Sequence, residues 1–232
     1  SGVVTATISD GDMATLAGLT ETGNAYSITI TDNSVAAAAL NTLDGKTSVA
    51  INASNITTLT GAAADLNTAY TANGNGSITG LGNEAATLND TTLAVSILND
   101  LDGNTSGAID ASSINTLTSD DYDSLNTAYT AAGSGAITGL GNEAITVNNR
   151  IRASEANTLN GHTSGVVTAT VTNSDGTGNL SVSNALTLGG TGNAYSILIQ
   201  DQTVSVSDLL TIDGITTTTV NAKNIRTLTG SY

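Results

Sequence analysis

The sequence predicts a mainly β protein: a parallel β-solenoid-like tandem repeat with short helical turns between strands. Three observations predict it. An eleven-residue pattern recurs along the whole chain. The 232 residues contain no Pro, which suits a backbone in which nearly every N–H joins a ladder. The apolar positions carry aliphatic or small side chains, with no Phe and no Trp. Such side chains bury little area each and suit narrow, stacked layers.

The pattern reads aliphatic, any, small or aliphatic, Ser-like, any, apolar, any, Thr, Leu, polar, Gly, as in Ile51 to Gly61. Further copies start at Leu93, Ile109, Ile151, Val204 and Val220, with looser ones at Ile8, Val35 and Leu180. Positions one and three alternate with polar residues at strand period. The fourth position is Ser at Ser54, Ser96, Ser112, Ser154 and Ser207, a good helix N-cap. Positions six and nine lie three apart, on one face of a short helix. Gly at position eleven suits a left-handed stop. Each copy therefore predicts a short strand, about one and a half helical turns and a Gly turn. Outside the pattern, Ala62 to Tyr70 predicts a helix, and Tyr26 to Thr31 and Tyr195 to Ile199 predict strands.

Longer copies overlie the short one. Gly80-Leu81-Gly82-Asn83-Glu84-Ala85 returns at Gly139 to Ala144, and Ser1 to Thr7 returns at Ser164 to Thr170. Thr22 to Ile28 returns at Thr191 to Ile197. Self-similarity of this kind predicts one elongated array over residues 1–232, with units of approximately 1–48, 49–106, 107–163 and 164–232, cut from a longer periodic protein.

The stretch Asn52-Ala53-Ser54 through Leu66-Asn67-Thr68-Ala69-Tyr70, followed by Ile78 to Ala85, resembles tandem repeats in giant cell-surface proteins of marine cyanobacteria and in fibre proteins of their phages. The resemblance covers residues 33–165 best. It implies an extracellular, elongated, non-enzymatic protein of the adhesin, filament or fibre kind, at a cell surface or on a virion, and carries no catalytic residues over.

Composition removes several functions. Five cationic residues against a formal net charge of -15 argue against binding nucleic-acid phosphates. No apolar run approaches the roughly 20 residues that span a bilayer, and no Cys is present for disulfides or a thiolate zinc site. Gly80 to Ala85 matches a dinucleotide-binding fingerprint with Ala last, but a functional one must follow a buried strand and open a helix; a tight turn is the favoured reading. His162 is the sole His and is expected at a solvent-facing turn, without a triad. Calcium is the candidate ion. Asp10 and Asp12, Asp100 and Asp102, and Asp120, Asp121 and Asp123 offer clustered oxygens, although Asp-Gly also makes ordinary turns. No other cofactor is expected. Tyr70 and Tyr129, and Tyr26 and Tyr195, are expected to cap the core with hydroxyls at water.

The functional expectation is a non-enzymatic structural repeat of a surface filament, adhesin or fibre, acting as a rod-like spacer or polymerising subunit. The alternative is a glycan- or calcium-binding adhesive module on the same scaffold. The expected partners are copies of the chain stacked end to end, covalently adjacent repeats, or cell-surface glycan.

Overall fold

The computed structural model describes residues 2–173 and 178–230. Ser1, which opens one of the repeated segments, lies outside the described residues, as do Ser231 and Tyr232. In chain order the elements are β1 (Thr5–Thr7), α1 (Met13–Leu16), β2 (Ala25–Ser27), β3 (Ser34–Ala36), α2 (Ala37–Asp44), β4 (Ile51–Asn52), β5 (Thr58–Gly61), α3 (Ala63–Asn75), β6 (Ile78–Thr79), β7 (Ala85–Leu88), β8 (Thr92–Ala94) and α4 (Val95–Asn104). They continue with β9 (Ile109–Asp110), β10 (Thr116–Ser119), α5 (Tyr122–Ser134), β11 (Ile137–Thr138), β12 (Ala144–Arg152), α6 (Ala153–His162), β13 (Val167–Thr172), α7 (Val182–Ala185), β14 (Ala194–Ser196), β15 (Thr203–Ser205), α8 (Val206–Ile215) and β16 (Thr227–Thr229).

The chain divides into two compact units. One comprises Ser1–Thr91, Ser96–Ile114 and Thr130–Gly139; the other comprises Thr92–Val95, Asn115–Tyr129 and Leu140–Tyr232. The first unit holds a five-stranded sheet in the order β11-β9-β7-β5-β3 and the pairs β1-β2 and β4-β6. The second holds the order β14-β13-β12-β10-β8 and the pair β15-β16. Strand pairing is parallel in all five sheets. Register lines up one aliphatic column per large sheet. Val35, Leu59, Ala86, Ile109 and Ile137 are neighbours in the first; Leu93, Leu117, Ile145 and Val167 are neighbours in the second. Every one of these side chains is buried. Helices close the same cores with Leu40, Leu43, Leu66 and Ala69 in one unit and Leu125, Ala156 and Leu159 in the other.

This architecture corrects the mainly β solenoid. The protein is mixed α/β, with 32% helix and 29% strand in five separate sheets. Copies of the one pattern fold in two ways. Those starting at Val35, Leu93, Ile151 and Val204 give a strand followed at once by a helix of 8 to 10 residues. Those starting at Ile51, Ile109 and Val220 give a strand or bridge, a turn and a second strand. Position two separates them. Asn52, Asp110 and Asn221 accept from the backbone N–H two residues on, at 3.1, 3.0 and 3.2 Å, an Asx turn that competes with helix. Asn55 and Asn224, at position five, then donate to Ile30 and Ile199 carbonyls at 2.8 and 3.0 Å, and Ser113 donates to that of Leu88 at 3.0 Å. The helical copies carry Ala, Arg or Ser at position two and mostly Leu at six, so nothing local interrupts the helix.

The expected Ser caps shift accordingly. Ser96, Ser154 and Ser207 lie inside first helical turns, and Ser54 and Ser112 lie in non-helical turns. Ser205 caps α8 instead, accepting from Asp208 N at 3.0 Å. Helix α3, expected over Ala62 to Tyr70, forms and runs 13 residues. The elongated filament, adhesin or fibre, and the cyanobacterial surface-repeat likeness behind it, are overturned as well. Each compact α/β unit closes a core of its own, because helices of this length cover the strands they follow.

Two outcomes test this account. Leu59→Ala, at a fully buried side chain, should destabilise the chain by about 2–5 kcal/mol. Leu228→Ala, at the matching but 56% exposed position, should change it by less than about 0.5 kcal/mol; urea denaturation compares them. The Ser112 hydroxyl, and then its backbone N–H, hold the Asp110 carboxyl below its ordinary range. Its contribution is therefore present above pH about 4 and lost as pH falls through the folded value. Asp110→Asn keeps the turn, as at Asn52 and Asn221, but should remove that acid-side loss, seen as a smaller drop in urea midpoint between pH 7 and pH 2.

Candidate functional site

The buried carboxyl groups of the described residues are Glu84 and Glu143, each 1% exposed. Both end the repeated Gly-Leu-Gly-Asn-Glu turn, just ahead of β7 and β12. Burying a carboxylate demands donors on its oxygens, and the turn supplies them from its own backbone. Glu84 accepts from Gly82 N at 2.9 Å and Asn83 N at 3.2 Å. Glu143 accepts from Gly141 N at 2.8 Å and Asn142 N at 3.1 Å. Folding the turn this tightly puts Gly82 at φ 120° and Gly141 at φ 125°, where a side chain is strained.

The following helix end locks each turn. Thr105 Oγ donates to the Glu84 carbonyl at 2.7 Å and accepts from Gly107 N at 3.0 Å. Thr163 repeats this on Glu143 and Gly165, at 2.6 and 2.9 Å. Gly107 and Gly165 are obligatory for a second reason: a Cβ there would stand 2.2 Å from the Glu84 or Glu143 carbonyl oxygen.

A tyrosine reaches each carboxylate from the preceding helix, and the copies differ. Tyr129 on α5 donates its hydroxyl to Glu143 Oε1. Tyr70 on α3 places its buried hydroxyl beside Glu84 and Thr105 without a hydrogen bond of good geometry. Burial, then Glu84, drives the Tyr70 phenol far above its ordinary range, and burial, then Glu143, does the same at Tyr129. His162 lies flat on Tyr129, ring centroids 4.7 Å apart and planes 4° from parallel. This also corrects His162 as a bare turn residue: it ends α6 half-buried under that stack.

The dinucleotide-like motif is resolved by the same geometry. The N–H groups that would cradle a phosphate hold the loop's own Glu, and a strand follows instead of a helix. The tyrosine expectation is corrected too: Tyr195 is fully buried, with Oη donating to the Ala156 carbonyl at 3.4 Å, and burial pushes its phenol up to about 12.

The candidate calcium ligands are dispersed over the fold as helix and turn acceptors. Asp10 accepts from Asp12 N, and Asp12 caps α1 through Ala14 N at 2.8 Å. Asp121 caps α5 through Ser124 N at 2.7 Å, Asp123 lies in that helix's first turn, and Asp120 accepts from Asn148 Nδ2 at 2.9 Å. Asp121 and Asp123 share a surface depression with Arg150, Arg152 and Glu155, in which Arg152 pairs with Glu155 at 2.8 Å. Asp100 and Asp102 ride on α4, with Asp100 beside Asn67 and Asn104. Among the described residues no group of three or more His, Cys, Asp or Glu side chains is gathered to hold a metal ion. A small apolar cleft of about 250 Å³ opens between α1 and α2, lined by Met13, Leu16, Leu19 and Leu43 with Lys46 at one side. Lys46 Nζ donates to the Thr20 carbonyl at 3.2 Å. Among the described residues no helix is long and apolar enough to cross a membrane.

No family model, curated protein or solved structure matches this chain. The site thus rests on its own geometry, and sequence reasoning missed its central feature. A glutamate after Gly-Leu-Gly-Asn in both copies, with Tyr in the helix before and Thr-Ser-Gly in the stretch after, was the available signal.

The asymmetry between the copies is testable. Tyr129→Phe should cost about 1.5–3 kcal/mol, the range for a hydrogen bond to a charged group, and Tyr70→Phe clearly less. Because the folded phenols titrate above the unfolded value, their neutral form stabilises the fold below pH about 10, and that stability is lost as pH rises through the folded values. Alkaline absorbance titration should show Tyr70, Tyr129 and Tyr195 ionising only as the chain unfolds.

Proposed function

We propose that this chain is a non-catalytic α/β interaction module working at a cell surface, where its partners are other polypeptides. The observation that carries the reading is the fate of Glu84 and Glu143. They are the buried carboxyl groups among the described residues, and each is held by N–H groups of its own turn rather than aimed into a cleft. A general acid or base must reach a proton on a bound substrate, whereas these carboxylates order a loop and dock it on a helix end. His162 is stacked on Tyr129, and the phenols of Tyr70, Tyr129 and Tyr195 are buried in the core. The surface supports the binding role: it is acidic overall and dominated by short Thr, Ser and Asn side chains, which order at little entropic cost when a partner covers them.

A turnover screen tests the proposal. The full chain is offered ester, glycoside, phosphoester and peptide substrates, beside Glu143→Gln and His162→Ala. The expected outcome is no turnover above that of both variants, with Glu143→Gln losing about 1–3 kcal/mol of stability because an amide N–H₂ would face backbone donors. Turnover by the natural chain that either variant abolishes refutes a non-catalytic module. Proteolysis of intact cells, which should degrade a surface-exposed chain, tests the location.

A further inference from the structure

Three Asn-Gly pairs occur in the chain: Asn73-Gly74, Asn75-Gly76 and Asn160-Gly161. At such a pair the backbone nitrogen of the glycine can attack the asparagine side-chain carbonyl, because no Cβ stands in the way. Two freedoms are needed. The amide side chain must be able to swing onto the backbone, and the glycine nitrogen must not be locked in regular structure. The fold grants these freedoms unequally.

Asn73 lies inside α3. Its Oδ1 accepts from Leu81 N at 3.1 Å and its Nδ2 donates to the Leu81 carbonyl at 3.4 Å, so the amide clamps the turn that leads to Glu84. Asn160 lies inside α6, and its Oδ1 accepts from Asn193 Nδ2 at 2.7 Å. Asn75 is the last residue of α3 and is exposed. No hydrogen bond holds its side chain among the described residues. Gly76, which carries the attacking nitrogen, has left the helix for φ 82°. Its N–H stands 3.2 Å from the Asn73 carbonyl, a long bond at a helix end, where fraying begins.

We infer that Asn75 is a self-modifying site: Asn75 and Gly76 cyclise to a succinimide, which water opens to isoaspartate or aspartate. The Gly76 nitrogen gives its proton to solvent base and bonds to Asn75 Cγ. The Cγ–Nδ2 bond breaks, and ammonia leaves with a proton taken from water. One water then adds to either ring carbonyl. Water is the sole co-reactant, and no oxidant or reductant enters. The isoaspartate product lengthens the main chain by one methylene at residue 75. That insertion falls within the two bonds that turn α3 into β6, Gly76 N to the Asn73 carbonyl and Ser77 N to the Ala72 carbonyl at 3.1 Å. It also adds a carboxylate near Ser77, whose hydroxyl already donates to Asp44 Oδ2 at 3.0 Å. The cap therefore loosens as the chain ages. The second copy carries Ser134-Gly135 on the same cap. Gly135 has φ 86°, and Ala136 N donates to the Ala131 carbonyl at 3.1 Å, so that copy keeps the geometry without the reactive amide.

The test ages the full chain at mildly alkaline pH and weighs its peptides, with electron-transfer fragmentation to place each change and to separate isoaspartate from aspartate. A gain of one mass unit is expected at Asn75 at least roughly ten-fold faster than at Asn73 or Asn160, because those must first open a helix and each ten-fold corresponds to about 1.4 kcal/mol of opening. In urea the three pairs should react at similar rates. Asn75→Ser, which installs the residue of the second copy, should keep the circular dichroism of the natural chain and remove the fast reaction. Hydrogen exchange at Ser77 N–H should quicken as the natural chain ages and stay constant in Asn75→Ser. Faster modification at Asn73 or Asn160, equal rates at all three in the folded chain, or an Asn75 that stays intact while the chain in urea reacts overturns the site. Exchange at Ser77 that ageing leaves unchanged overturns the loosening of the cap.

Discussion

Parallel strand pairing is the constraint on which the rest of this structure depends. A parallel neighbour cannot be reached by a tight hairpin, so every strand must be followed by a connection that carries the chain back before the next strand is laid down. Here the connections are helices of 4 to 13 residues or turns that lead into further short strands. Strands of two to four residues suffice for most positions, because one aliphatic residue per strand enters the column and a helix covers it. The total lack of Pro fits a backbone in which strand, helix and turn N–H groups alike are donors.

The same constraint explains how one pattern yields two structures. After each strand the chain needs either a helix or a sharp turn into the next strand, and small polar side chains select between them. Asn52, Asp110 and Asn221 close Asx turns, and Asn55, Ser113 and Asn224 tie those turns to backbone carbonyls of an earlier strand or the loop after it. Where Ala, Arg or Ser takes the second position, the apolar residues at three, six and nine fall on one helical face and the helix proceeds. Long-range caps then join the layers. Asp32, Asp90 and Asp201 each accept from the first N–H of a helix that precedes them by 19 to 27 residues.

Glu84 and Glu143 show how a polar group enters such cores. Each brings a carboxyl group inside, and each is tolerated because its own turn turns two N–H groups toward it. Thr105 and Thr163 then fix the turn to the next helix end. Losing one partner would leave a buried carboxyl group short of donors, which is more damaging than losing a surface pair. Tyr129 completes its copy and Tyr70 does not, so the two turns are equivalent in backbone and unequal in side-chain satisfaction.

The sequence by itself determined the aliphatic spacing, the strand starts at Ile51 and Ile109, the helix beginning near Ala62, and the turns at Gly80 to Glu84 and Gly139 to Glu143. These follow from local periodicity and from backbone preferences of a few neighbouring residues. It also held the Asx signal at position two, although the shared apolar spacing of both pattern types masks it. Only the tertiary structure decided that Glu84 and Glu143 are buried rather than solvated, that Asp120 meets Asn148, and that Leu59 and Leu228 share a sequence but not an environment. The physical reason is the same in each case. Burial depends on contacts between segments up to 39 residues apart, so it is set by which strand or helix lies alongside, and identical local sequences meet different neighbours.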